Sequence, residues 1–289
     1  MSERDARKRP LGAFGGLLAA PMIVWLIALV VLPNLILVGY SFCDRDDLGQ
    51  VVPRFSLEAF GRIADPTYLR ILLHSLYLSG VATVLCLLIG YPVGYFLGRA
   101  SERWRNKLLI VVMIPFWTSF LVRTYAWMIL LRSEGVINAL LQYTRLVSSP
   151  VEMLYTEGAV LIGLVYAYLP FTILPIYASA EKLDGALVEA AYDLGARPWR
   201  AFVHVILPLT RPGIIAGALF VFIPSIGMFA ITDLMGGGRV PLIGNVIQNQ
   251  FGQGRNWPFG AALGTALLVI FLGLLAWALR ADGEEALHR

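Results

Sequence analysis

The chain has 289 residues, of which 58% are hydrophobic and only 15% charged, with a formal net charge of +4. A typical soluble domain carries about 25% charged residues, so this composition excludes an ordinary globular fold. The basic balance does not point to nucleic acid, because the cationic residues flank long apolar runs, as membrane topology demands.

Six runs of roughly 20 or more apolar residues are long enough to cross ~30 Å of hydrocarbon as helices. A membrane span must satisfy its backbone polar groups internally, so each run is read as helical. The expected fold class is an all-α integral membrane protein with six transmembrane helices. Arg4, Arg7, Lys8 and Arg9 precede the first run. That run is too long for a signal peptide and is read as a retained anchor. The expected spans are Leu17–Tyr40, Ile71–Gly98, Leu108–Leu131, Ala159–Ala180, Gly213–Met235 and Trp257–Leu279. Between the first two lies a long loop of mixed charge, Cys43–Arg70. Between spans three and four, Val136, Ile137, Leu140 and Leu141 mark a short amphipathic helix. Gly236-Gly237-Gly238 breaks the chain after span five.

The domain organisation follows. Residues 1–70 comprise an N-terminal tail, the first helix and a long outer loop; 71–280 form the transmembrane core; 181–212 form a polar loop within it; 281–289 form a C-terminal tail. The N-terminal tail, the loop Arg99–Lys107, the loop Glu181–Pro212 and the residues after Leu279 hold fourteen Lys and Arg, against eight on the other side. Short loops obey the positive-inside rule best, and Arg99, Arg103, Arg105 and Lys107 oppose only Glu102. Both termini and the loop 181–212 are therefore expected to be cytoplasmic, in a multi-pass membrane protein.

Glycines recur every four residues: Gly90, Gly94 and Gly98, then Gly213 and Gly217, then Gly260 and Gly264. Such stripes let helix backbones approach closely in lipid, either within the chain or at a subunit interface. Pro92, Pro115, Pro170, Pro175 and Pro224 lie within spans and are expected to kink them. Cys43 and Cys86 have no metal-ligand spacing and are read as small packing residues.

No catalytic constellation and no metal site is legible. A phosphate-binding G-x-x-x-x-G-K-[S/T] loop, H-E-x-x-H, G-x-S-x-G and C-x-x-C are all missing from the sequence. His74, His204 and His288 are far apart, and His74 is read as an interfacial residue rather than a ligand. The informative segment is Glu189-Ala190-Ala191, then Gly195, then Leu207-Pro208. The alanines suit a short helix that another surface can approach. Gly195 is expected to end it at positive φ. Pro198 is placed to open a second helix bearing Phe202, Val205 and Ile206. Leu207-Pro208 and Pro212-Gly213 are expected to close that helix and aim the chain into span five. The result is a rigid elbow outside the membrane.

With that elbow the chain resembles the permease subunits of binding-protein-dependent ABC importers, closest to the spermidine/putrescine branch. The resemblance extends over nearly all of Ile71–Leu279, through Pro115–Trp127, Leu169-Pro170-Phe171, Glu189–Pro208, Asp233–Gly237, Ile243-Gly244-Asn245 and Asn256–Gly260. Val205 stands where the family loop has isoleucine. The resemblance implies a type-I importer permease fold in which Glu189, Ala190, Ala191, Gly195, Leu207 and Pro208 couple to an ATPase. It implies a second homologous permease subunit, two ATPase subunits, an external solute-binding protein, the lipid bilayer as surroundings, and no nucleic acid. This chain is then not an enzyme and holds no cofactor of its own; ATP and Mg are bound by the partner ATPase.

Ionised side chains within the expected spans are Arg123 and Asp233, and intramembrane charges are functional candidates. Arg123 is placed ~12 Å below the outer end of span three, at ~1.5 Å per residue. Asp233 lies near the outer end of span five. A mutual pair, a substrate or gate role for Asp233, and snorkelling to the interface all remain open. Trp117, Tyr125, Trp127, Tyr166 and Tyr168 join them as substrate-pathway candidates, since ring faces attract ammonium groups; an aromatic belt at the lipid interface is the alternative for each. Other small solutes (an iron chelate, an aminophosphonate, an opine-like compound) are alternatives to polyamines. An autonomous secondary transporter is disfavoured by the scarcity of intramembrane charge, and an intramembrane enzyme by the missing catalytic groups.

Overall fold

The computed structural model describes residues 13–46 and 49–287. The basic residues Arg4, Arg7, Lys8 and Arg9 and the third histidine, His288, lie outside them. In chain order the helices are α1 (Ala13–Leu26), α2 (Leu32–Ser41), α3 (Glu58–Ile63), α4 (Pro66–Arg99), α5 (Glu102–Met113), α6 (Phe120–Leu131), α7 (Val136–Tyr143), α8 (Glu157–Glu181), α9 (Gly185–Asp193), α10 (Pro198–Ala201), α11 (Leu207–Ile226), α12 (Ala230–Gly236), α13 (Ile243–Phe251) and α14 (Trp257–Leu287). Asp44–Arg45 and Val51–Val52 form a short antiparallel ribbon. The helical class is as expected: among the described residues five helices are long and apolar enough to span a membrane, or six if one sharply bent pair counts as a span.

Two π-turns, Ile27–Val31 and Phe202–Ile206, each run into a Leu-Pro pair. Proline has no N–H and its ring clashes with the carbonyl four residues back. Widening the preceding turn makes room for the ring, and the helix continues. The chain is therefore helical from Pro198 to Ile226 without a stop. This corrects the expected closure at Leu207-Pro208: the second arm of the elbow is the first part of span five. It also shifts that span from Gly213–Met235 to Pro198–Ile226, with Asp233 on the separate helix α12.

The expected span Leu108–Leu131, in which Pro115 was to make a kink, is broken outright. It is broken between Trp117 and Phe120, and the two parts bend by 89°. Ile114–Trp117 tightens into a 3-10 turn at Pro115, and Thr118 turns extended at ψ 148°. The Thr118 hydroxyl and backbone N–H both donate to the Pro115 carbonyl, at 2.8 and 3.3 Å, so the carbonyl at the break is paired. Pro92, Pro170 and Pro175 sit inside continuous helices, so proline alone does not break a span here.

Packing divides the chain into two compact units, Met1–Ala64 with Gln250–Leu268 and Asp65–Asn249 with Val269–Arg289. In the first, Phe42 packs against Phe55 and Phe60, and Arg62 stacks over Phe259 with its guanidinium carbon 4.9 Å from the ring centroid. Met22 and Trp25 of α1 and Leu29 of the π-turn that follows are exposed, an apolar surface suited to lipid or another chain.

In the second unit α8 is gripped from two sides. A Cβ on Gly90 would stand 2.9 Å from the Thr172 methyl, one on Gly94 2.9 Å from the Ile173 carbonyl, and one on Gly98 2.6 Å from the Ala180 Cβ. From α11, a Cβ on Gly213 would stand 2.5 Å from the Pro175 carbonyl. These stripes therefore serve packing within the chain, where close van der Waals contact replaces hydrophobic drive. Leu78, Ala82 and Cys86 of α4 meet Val160 and Leu164 of α8, Val221 of α11 and Met235 of α12 in one buried cluster.

Candidate functional site

The elbow begins at Asp184, whose carboxylate accepts the Ala186 N–H at 3.0 Å and caps α9. Glu189, Ala190 and Ala191 lie on this helix. It ends in a paired hydrogen-bond motif: Gly195 N donates to the Tyr192 carbonyl at 2.8 Å and Ala196 N to the Ala191 carbonyl at 3.0 Å. That geometry requires a left-handed residue after the helix, and Gly195 has φ +81°. Arg197 is extended and Pro198 opens the next helix. Leu207 is half-buried and Pro208 exposed at the start of α11. Glu189 and Ala190 are exposed, and so are Leu187, Tyr192, Leu194 (89%) and Trp199 (72%). Four uncovered apolar side chains on a short polar elbow make a surface suited to another protein.

Both arms are tied back to the helices. Arg105 Nη1 donates to Glu181 Oε1 at 2.7 Å, and Arg99 Nη1 to the Leu183 carbonyl at 3.0 Å. On the second arm Phe202 meets Tyr91 edge-on at 5.7 Å, and the Tyr91 hydroxyl lies 2.9 Å from Thr210 Oγ1. Sequence reasoning used Arg99 and Arg105 only as topology markers.

Away from the elbow, the bend in span three gathers an aromatic cluster around a cation. The Arg123 guanidinium lies 5.7 Å from the Phe116 ring and 5.9 Å from the Tyr166 ring. Trp127 meets Tyr166 at 5.6 Å, Phe116 meets Phe171 at 5.2 Å, and Tyr168 meets Phe171 at 6.2 Å. Arg123 Nε is buried without a hydrogen-bond partner, so the ring faces carry its stabilisation. The structure thus brings Arg123, Trp127, Tyr166 and Tyr168 together. Trp117 and Tyr125, 79% and 49% exposed, stand outside the cluster. Phe116 and Phe171 were not singled out from sequence, although both lie in segments that carried the resemblance.

Arg123 and Asp233 do not pair. Asp233, exposed on α12, is held by Asn245, whose Nδ2 donates to Asp233 Oδ1 at 2.5 Å and to the Phe229 carbonyl at 3.2 Å. Asn245 Oδ1 accepts the Leu242 N–H at 2.9 Å and the Thr232 hydroxyl at 2.7 Å. Gly244 makes this possible, since a side chain there would collide with the Gly227 carbonyl. His74 lies 3.0 Å from Glu157, a partner sequence spacing does not reveal. No group of three or more metal-binding side chains occurs among the described residues.

Over residues 90–281 the chain matches the family described as binding-protein-dependent transport system inner membrane component. It is 44% identical over 262 residues to the spermidine/putrescine transport system permease protein PotB of Salmonella typhimurium strain SL1344, covering 91% of each chain. It is 45% identical over 254 residues to the protein of the same name from Escherichia coli strain K12, covering 88% of this chain and 92% of the other. Among solved structures, a chain of a bacterial alginate ABC transporter superimposes with a TM-score of 0.67 at 17% identity, covering 91% of both chains, which is a likeness of fold. The chain belongs to the binding-protein-dependent transport family and is an inner-membrane permease component.

Proposed function

We propose that this permease component carries spermidine and putrescine, or polyamines of that class, into the cell as half of an ATP-driven pathway. The observation that carries the reading is the 44% identity to the PotB permease over nine-tenths of both chains. In this reading a second, similar permease completes the pathway, two ATPase subunits supply the energy, and an external binding protein delivers the solute. Both termini face the cytoplasm. ATP and Mg bind the ATPase and not this chain.

The elbow is the coupling element. Glu189, Ala190, Ala191 and Gly195 form a capped helix with an open apolar surface, and Leu207-Pro208 lie in the helix that returns to the membrane. A docked ATPase that pulls on it would move spans four and five, which it joins covalently. A polyamine carries several positive charges and needs acceptors along a path of low dielectric. The ring faces of Trp117, Tyr125, Trp127, Tyr166 and Tyr168, and the carboxylate of Asp233, are the proposed acceptors. Arg123 is the cation that Tyr166, together with Phe116, holds when no solute is present.

The deciding experiment is purification with the neighbouring subunits and reconstitution into vesicles. ATP-dependent uptake of spermidine or putrescine, and ATPase activity stimulated by the loaded binding protein, are expected. Uptake that persists without the ATPase would overturn the coupling reading, and stimulation by a different solute would replace the polyamine.

A further inference from the structure

We infer that Arg99 and Arg105 are positioning residues for energy coupling, fastening the elbow to spans two and three so that a push on it reaches helices it does not join covalently. The inference rests on the reading of the elbow as the coupling element. By chain connectivity alone the elbow acts on α8 and α11. The side chains add a third output. At the base of the first arm, Gly98 lies against Ala180 so closely that a Cβ there would stand 2.9 Å from the Glu181 nitrogen. The next residue, Arg99, reaches over this contact to the carbonyl of Leu183, the last residue before the cap of α9. Leu183 is itself buried. Arg105, one turn into α5, holds Glu181. The second arm leans on the same helix, α4, through Tyr91 and its contacts with Phe202 and Thr210.

Span two is therefore a common backstop for both arms. Rotation of α9 about its own base would be resisted by the guanidinium on the Leu183 carbonyl and by the ion pair on Glu181. The Arg105–Glu181 pair is not a large contribution to folding, because its side chains are 24% and 38% exposed and such pairs contribute little in water-accessible places. Its removal loosens the linkage and leaves the fold.

The test uses the full importer in vesicles, with ATP hydrolysed per spermidine imported as the readout. Arg105→Glu and Glu181→Arg are each expected to raise that ratio about fivefold, and the double variant to return it to within about twofold of the wild type, the signature of a direct pair. Arg99→Gln is expected to raise the ratio as well, with Arg99→Lys recovering part of it. Should a reversal prevent co-purification with the partners, Arg105→Gln, which sets no like charges together, carries the same measurement. Single variants with the wild-type ratio, or a double variant no better than the singles, overturn the inference. A crosslinker placed by Leu194→Cys separates the two levels: no crosslink to the ATPase in the wild-type background defeats the elbow reading, whereas a crosslink with flat ratios defeats only the role of the arginines.

Discussion

Asn245 holds Asp233: the Nδ2 of the first lies 2.5 Å from the Oδ1 of the second, across the turn that joins α12 to α13. The same amide satisfies the Leu242 N–H and the Phe229 carbonyl. One side chain thus fixes both the start of α13 and the direction of an exposed carboxylate.

Asp233→Asn keeps an acceptor for Asn245 and removes the charge. Polyamine uptake in vesicles is expected to fall about tenfold, a loss of ~1.4 kcal/mol, while co-purification with partners is unchanged. Equal uptake by the two forms would remove Asp233 from the pathway.

Asn245→Leu leaves the Leu242 N–H without its acceptor, while the Phe229 carbonyl keeps the Asp233 N–H and the Thr232 hydroxyl. A stability loss of about 1–3 kcal/mol is expected, read as a lower unfolding midpoint in detergent. An unchanged midpoint would mean that water replaces the amide.

Gly94→Ala and Gly80→Ala form a matched pair on α4. The first drives a methyl to 2.9 Å from the Ile173 carbonyl, and the second meets nothing within 4 Å. Gly94→Ala is expected to cost about 1–3 kcal/mol by overpacking. Gly80→Ala is expected to be neutral or slightly stabilising, and comparable midpoints for the two would contradict the close packing of α4 on α8.

Gly195→Ala forces φ +81° on a residue with a Cβ, although space around it is open. The expected cost is about 1–2 kcal/mol, confined to the end of α9. The check is transport rate set against the global unfolding midpoint: transport should drop while the midpoint stays. A global loss with intact transport would deny the elbow its role.

The capped helix, its glycine and the proline opening the next helix were legible because each is a local backbone demand with a residue type that meets it. The spans were legible from length and hydropathy. A kink in span three at Pro115 was legible, but a full break was not, since Ile114, Pro115, Phe116 and Trp117 are as apolar as their neighbours, and Pro92, Pro170 and Pro175 show that a proline leaves helices whole elsewhere. At the break Thr118 leaves the helix, and its hydroxyl and N–H both hold the Pro115 carbonyl. Continuity through Leu207-Pro208 was hidden for the converse reason: a π-turn lets an apparent stop pass. The Asp233–Asn245 bond and the arginine tethers join residues through the fold, which periodicity does not encode.

The two-sided seating of α8 between glycine faces has a mechanical corollary. Three rods in backbone contact have no room to slide or spin past one another, so whatever stroke this subunit makes, it makes by swivelling as a block. Spin labels at Leu88 and Phe220, both on outward surfaces, should report a single unvarying separation through every nucleotide state.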